Sequence, residues 1–220
     1  GPSTLRLGIE KSRNVMTVRL AKDMGMPLIA EYARRFGIYD NMQPVLSMSL
    51  GAGETTALRM ASAYGIIANG GRKIEPTLID RIQDRYGRTI YKHDDRKCEG
   101  CEAKAWLNQD EPRLIDEHEQ VLDPMTVFHA TRESGRAGID RLLKLPVRFS
   151  SGMMLGGNPF GMYGANTHYA FGHAGYSKVF CWGDPERALA ISILTTGKPI
   201  LGPHLPLIPR LLYAISRHCK

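Results

Sequence analysis

His173 is the side chain in this sequence whose setting most suggests chemistry. It stands in Phe171-Gly172-His173-Ala174-Gly175-Tyr176-Ser177, flanked by glycines. Two apolar runs follow, Lys178 to Gly183 and Ala188 to Thr196, separated by the polar turn Asp184-Pro185-Glu186-Arg187. Runs around such a turn read as adjacent antiparallel strands, so His173 is expected on the preceding strand, at a sheet edge. A Ser/His/Asp arrangement built on it finds no distinguishable partner among the scattered Asp and Ser residues. Cys98-Glu99-Gly100-Cys101 has metal-knuckle spacing, but no second Cys-x-x-Cys or His pair accompanies it. A local disulfide or free thiols is the plainer reading, and no metal or other cofactor is expected. Gly51-Ala52-Gly53-Glu54-Thr55-Thr56 precedes a helical pattern without the Gly-Lys-Ser/Thr ending or dinucleotide spacing of a phosphate cradle. Thr55 or Thr56 therefore reads as a helix cap.

The elements that would position these residues follow from the spacing of apolar side chains. Thr4 to Met24 is helix-like with a break near Ser12-Arg13-Asn14. A second helix opens at Pro27, carries Leu28, Ile29, Tyr32, Ala33 and Phe36, and stops at Gly37. Tyr39 to Ser49 is irregular. Leu58, Ala61, Tyr64, Gly65 and Ala68 mark a helix ended by Asn69-Gly70-Gly71. Ile79, Ile82 and Ile90 around Tyr86-Gly87-Arg88 predict a short hairpin, and residues 92–119 read as a charged surface insertion. A helix starts at Asp123-Pro124 and is expected to end at Gly135 and Gly138. A second short one is expected over Ile139 to Leu145, closed by Pro146. Phe149 to Tyr169 reads as loop and edge strand near a cleft, its methionines as packing. Cys181 is expected to be buried packing. The stripe Leu207, Ile208, Leu211, Leu212 and Ile215 predicts a terminal helix that needs a sheet to cover.

At 220 residues and 43% hydrophobic content the chain fits one domain or two small ones with a real core. A formal charge of +7 suits a polyanion-facing surface, but no arginine run, aromatic-basic repeat or zinc-finger spacing supports nucleic acid. No apolar run is long enough to span a bilayer and no signal peptide opens the sequence. Gly1-Pro2-Ser3 reads as the remnant of a protease-cleaved tag.

Two stretches carry a family resemblance. Glu10-Lys11-Ser12-Arg13-Asn14 with Val18-Arg19-Leu20-Ala21, then Leu50-Gly51-Ala52-Gly53-Glu54-Thr55-Thr56 and Ala63-Tyr64, resemble the transpeptidase domain of class A penicillin-binding proteins, which cross-link peptidoglycan. The resemblance makes Ser12 and Asn14 the Ser-x-Asn motif, the serine assisting proton transfer and the asparagine holding the substrate amide. From about Phe128 onward the chain is similar to the C-terminal part of class C β-lactamase-like serine hydrolases and esterases, through Arg148-Phe149-Ser150-Ser151-Gly152, Phe171 to Gly175 and Asp184 to Arg187. There His173-Ala174-Gly175 corresponds to the third motif, Lys-Thr-Gly in most members, with Gly175, Tyr176 and Ser177 at the substrate. The two likenesses imply a laboratory or natural chimera joined near residue 125, with domains over 4–125 and 126–220; the alternative is a single divergent natural protein. They imply an α+β, partial penicillin-recognising fold: a helical region against a short antiparallel sheet with a covering C-terminal helix. The parent families are periplasmic or cell-envelope associated.

One motif of that superfamily is missing from these residues. Its nucleophilic serine is activated by a lysine three positions on, and no serine from Ser3 to Ser216 has lysine there. Lys11 beside Ser12 and Lys178 beside Ser177 point elsewhere, as neighbours do on a helix or a strand. Tyr39-Asp40-Asn41 imitates a class C Tyr-x-Asn motif by coincidence. The expected function is a non-catalytic, truncated or recombinant member of the superfamily; the alternative is a serine hydrolase whose nucleophile is noncanonical or supplied by a partner. The expected partners are peptidoglycan or a β-lactam by resemblance, and a second copy through an open sheet edge or strand exchange.

Overall fold

The computed structural model describes residues 3–79, 81–93, 120–134, 138–139, 146–175, 179–195 and 207–219. Two helices and a break open the chain where the sequence predicts them: α1 Leu5–Glu10, then α2 Asn14–Met24. Gly25 turns the chain into α3 Met26–Arg35, with Pro27 in its first turn, where a missing N–H costs nothing. Gly37, at φ +69°, ends it. A 3-10 turn, Leu46–Leu50, packs against α2. Ala21, Met26 and Met42 are the buried centre of this helical cluster, with Ile29, Ala33, Tyr39 and Met48 around them.

The next helix, α4 Ala57–Ala68, starts where Thr56 accepts a hydrogen bond from the Arg59 N–H at 3.2 Å, as its cap reading requires. It ends at Gly70 and Gly71, both at positive φ. A β-carbon at Gly71 would strike the Leu122 carbonyl, so the strand-like segment after Gln120 lies directly on this turn. Val121 and Leu122 both donate to the Gly71 carbonyl, and Arg35 donates to the Gln120 carbonyl at 2.9 Å. The helix α5, Pro124–Thr131, follows with Asp123 capping Met125 at 2.8 Å. It ends before the expected Gly135, which lies outside the described residues with 136–137.

The second half of the chain forms the main sheet. Its strands are β3 Gly138–Ile139, β4 Pro146–Phe149, β5 Met154–Leu155, β8 Phe171–Ala174, β9 Phe180–Asp184 and β10 Leu189–Ile193. Their order is β10-β9-β8-β5-β4-β3, antiparallel throughout. A small hairpin, β6 Phe160–Gly161 with β7 Gly164–Ala165, interrupts it. Alternation along β9 sends Phe180 and Trp182 to one face, with Leu212 of the terminal helix α6 Leu207–His218, and Gly183 to the other, against Tyr64 and Ala68 of α4. Tyr163, at the tip of the small hairpin, stacks on Trp182 with ring centroids 5.3 Å apart. The observed architecture is α+β, with a helical region against an antiparallel sheet and a covering C-terminal helix, as expected.

Three local expectations are corrected. Ile139 lies in a strand, because it pairs with Pro146; the rest of the helix expected to Leu145 falls outside the described residues. Met154-Leu155 is an interior strand rather than loop or edge, bonded on both sides by β4 and β8. Leu207 and Leu211 face outward, since only Ile208, Leu212 and Ile215 of the apolar stripe reach the sheet core. The compact units divide as residues 1–74 with 119–220, and 75–118. The smaller unit contains the predicted hairpin, β1 Arg81–Gln83 with β2 Thr89–Lys92. The insertion at 92–119 and its Cys98–Cys101 pair lie outside the described residues from 94 on.

Trp182 is 2% exposed at the centre of the larger core. Trp182→Ala is expected to cost about 3–5 kcal/mol, read as a lower denaturant midpoint with an unchanged slope. Thr56→Ala is expected to cost about 1 kcal/mol by the same measurement.

Candidate functional site

Ser12 sits in the break between α1 and α2, and its φ of +46° is left-handed. That conformation is uncommon for a residue bearing a β-carbon and stores strain of a kind found at functional positions. The break is held by Arg13 N–H donating to the Gly8 carbonyl at 2.8 Å. Asn14 is the first residue of α2, so Ser12 and Asn14 stand on either side of the turn into the helix. Both are exposed and both line one open groove of about 730 Å³. Ser3, Arg13, Arg19 and Asp23 contribute polar groups to the same walls. Two guanidinium groups against one carboxylate give the groove a cationic balance, suited to an anionic or amide-bearing ligand.

His173 lies elsewhere in the same unit. It is opposite Cys181 on β9, while the pairing of β8 with β5 reaches only Gly172. The strand is interior to the sheet, yet His173 stands just past the end of its second neighbour. The expected edge setting is thus met locally and not by the strand as a whole. Although the residue reaches solvent, burial of part of its ring lowers its pKa from the ordinary histidine value and favours the neutral imidazole. Gly175 closes the β8–β9 connection, its N–H donating to the Val179 carbonyl at 2.7 Å. Tyr176 and Ser177 lie outside the described residues. The structure therefore joins Ser12 to Asn14, and neither His173 nor Gly175 lines their groove.

Two ion pairs carry the second-half strings that attracted attention in the sequence. Arg148 binds Glu133 through Nη2 at 2.8 Å and Nε at 3.1 Å, and also donates to the carbonyls of Gly156 and His168. The hydrogen bond from Arg148 lowers the Glu133 pKa below the usual carboxylate value. Asp184, 2% exposed, pairs with Arg187 at 2.6 Å, and Arg187 donates onward to the carbonyls of Ala165 and Asn166. Both networks fasten loops to the sheet. Pairwise partners like these are not readable from spacing, since Arg148 and His168 are twenty residues apart.

The remaining candidates have structural roles. Tyr39 donates to the Gly53 carbonyl at 3.1 Å and Asp40 pairs with Arg59 at 2.7 Å, which leaves the Tyr-x-Asn imitation tying a loop to α4. Cys181 is buried, 3.2 Å from the Ser192 hydroxyl. Below it, burial pushes the Tyr64 phenol up to about 12. Among the described residues no three metal-ligating side chains cluster, and no helix is long and apolar enough to cross a membrane.

The two groups with lowered pKa, Glu133 and His173, act in the same direction with pH. Glu133 has a lowered folded-state pKa, so its contribution to stability is complete above the unfolded carboxylate value and is lost as pH falls through the folded one. His173 is also lowered, so the folded state resists its protonation, and stability is lost as pH falls below the ordinary histidine value. Glu133→Gln is expected to flatten the loss of stability at carboxylate pH, and His173→Gln the loss just below neutrality. Denaturation midpoints across pH, with NMR titration of the His173 ring, check both.

Known proteins resemble parts of this chain. Residues 1–105 match the family model described as the penicillin binding protein transpeptidase domain. Penicillin-binding protein 1A of Rickettsia bellii is 54% identical over 101 residues, 46% of this chain and 13% of that protein. Penicillin-binding protein 1A of Neisseria lactamica is 44% identical over 89 residues, 40% of this chain and 11% of that protein. The matched segment thus spans only about an eighth of these relatives. The crystal structure of penicillin-binding protein 1A from Haemophilus influenzae is similar over 99% of this chain and 35% of its own, with a TM-score of 0.57 and 22% identity, a likeness of fold.

Proposed function

We propose, from the membership of residues 1–105 in the penicillin-binding protein transpeptidase family, that this chain supplies the substrate-holding part of a serine acyl-transfer site. The substrate class is a peptidoglycan stem peptide, with penicillin as its mimic, as the names of the 1A relatives suggest. Asn14 holds the substrate amide through its side chain. Ser12 assists proton transfer in the cationic groove, whose Arg13 and Arg19 favour a carboxylate. His173 and Gly175 lie outside this groove and correspond to the third motif by resemblance alone. The acylated serine and its lysine come from polypeptide outside these 220 residues, because no serine here has a lysine three positions on. The observation that carries the reading is the left-handed Ser12 beside Asn14 on one groove, inside the family match. A cell-envelope location follows from the same reading.

A different ancestry for residues 126–220, with a join near residue 125, rests on the class C-like strings alone. The family match stops at residue 105 and the fold likeness runs past the proposed join. Self-association would use β10, an end strand of the main sheet.

A fluorescent penicillin is expected to bind this chain reversibly and saturably by polarisation. Asn14→Ala is expected to weaken it about tenfold, the loss of one hydrogen bond to an amide, and intact-protein mass spectrometry to show no covalent adduct. A stoichiometric adduct mapped to a serine of this chain would overturn the external nucleophile. Absence of saturable binding would overturn the whole reading.

A further inference from the structure

The terminal helix α6 has two apolar sides, and only one of them is used by the fold. Ile208, Leu212 and Ile215 pack into the sheet core. Leu207 and Leu211 point away from it, 56% and 47% exposed. Tyr213 is also exposed, and Phe160 beside it, with ring centroids 6.4 Å apart, is 71% exposed. Single exposed apolar residues are ordinary; the setting of these is less so. Arg210 and Arg217, seven residues apart, share one stripe of the helix, between the Leu207–Leu211 flank and the Tyr213–Phe160 flank. Both arginines are exposed, neither is ion-paired among the described residues, and α6 contains no acidic residue.

A seam of unneutralised guanidinium groups bordered by leucine on one side and aromatic rings on the other has a complementary surface in an anionic phospholipid leaflet. Phosphates there accept from arginine, and apolar and aromatic groups enter the boundary between headgroups and acyl chains. An acidic protein surface would match the charges but leave the four apolar side chains without a comparable partner. We infer that the outer face of α6, with Phe160, rests reversibly on anionic phospholipid. The helix is short, about 18 Å for its 12 residues, so cations and apolar flanks are both required.

The test is co-sedimentation of the whole chain with vesicles of phosphatidylglycerol and phosphatidylcholine, or of phosphatidylcholine alone. Binding is expected only to the anionic vesicles, and to fall with salt. Removing two surface cations in R210Q/R217Q is expected to lower the partition coefficient about thirty-fold. L207S/L211S is expected to lower it as clearly while circular dichroism stays unchanged. The same charge loss on the hairpin, R81Q/K92Q, is expected to leave binding in place. Equal binding to neutral vesicles, equal loss in the hairpin variant, or sedimentation with peptidoglycan but not with vesicles would each overturn the inference.

Discussion

The contact between α4 and β9 is the constraint on which the rest of this structure depends. Gly183 has no side chain because a β-carbon there would lie 3.0 Å from the Tyr64 carbonyl and 3.1 Å from Ala68. Removing that carbon lets a helix from the first half of the chain lie directly on a strand from the second. Gly172 does the corresponding service on the neighbouring strand, where a β-carbon would strike the backbone of Cys181 and the side chain of Trp182. With both glycines in place, β9 is buried along its whole length, and α6 can cover its other face. Burial on that scale is the main favourable term available to the fold.

From α4 the constraint passes to the groove. Thr55 donates to the Ile38 carbonyl at 2.8 Å and Arg59 pairs with Asp40, so the start of α4 is tied to the loop that closes the helical cluster. That cluster, centred on Ala21, Met26 and Met42, carries α2, and α2 carries Asn14 with the strained Ser12 at its start. The strain at Ser12 persists because packing on α2 and the Arg13–Gly8 hydrogen bond over-determine the break. His173 is positioned by the sheet itself. The two motif segments are thus carried by one folded unit while lining different parts of its surface.

Much of this was legible before the structure. The α1–α2 break, Pro27 opening α3, the Thr56 cap, the glycine-terminated α4 and the strand pair around Asp184 all follow from local chemistry acting over a few residues. The Ser-x-Asn motif was visible only through family likeness, since a tripeptide at a helix break says nothing by itself. What spacing could not show is long-range. Met154-Leu155 looked like loop because two residues are too few for a pattern, yet β4 and β8 recruit them into the sheet interior. Leu207 and Leu211 fell in a single apolar stripe with Leu212, and only packing decided which side met the core.

The central claim, that α4 and β9 form one cooperative body spanning both halves of the chain, is tested most directly by native-state hydrogen exchange across low denaturant concentrations. Amides of Ala63 to Ala68 and of Phe180 to Asp184 are predicted to exchange through the same global opening, with equal free energies and equal denaturant slopes. Independent exchange of α4, at a lower free energy and with a shallower slope than β9, would contradict it.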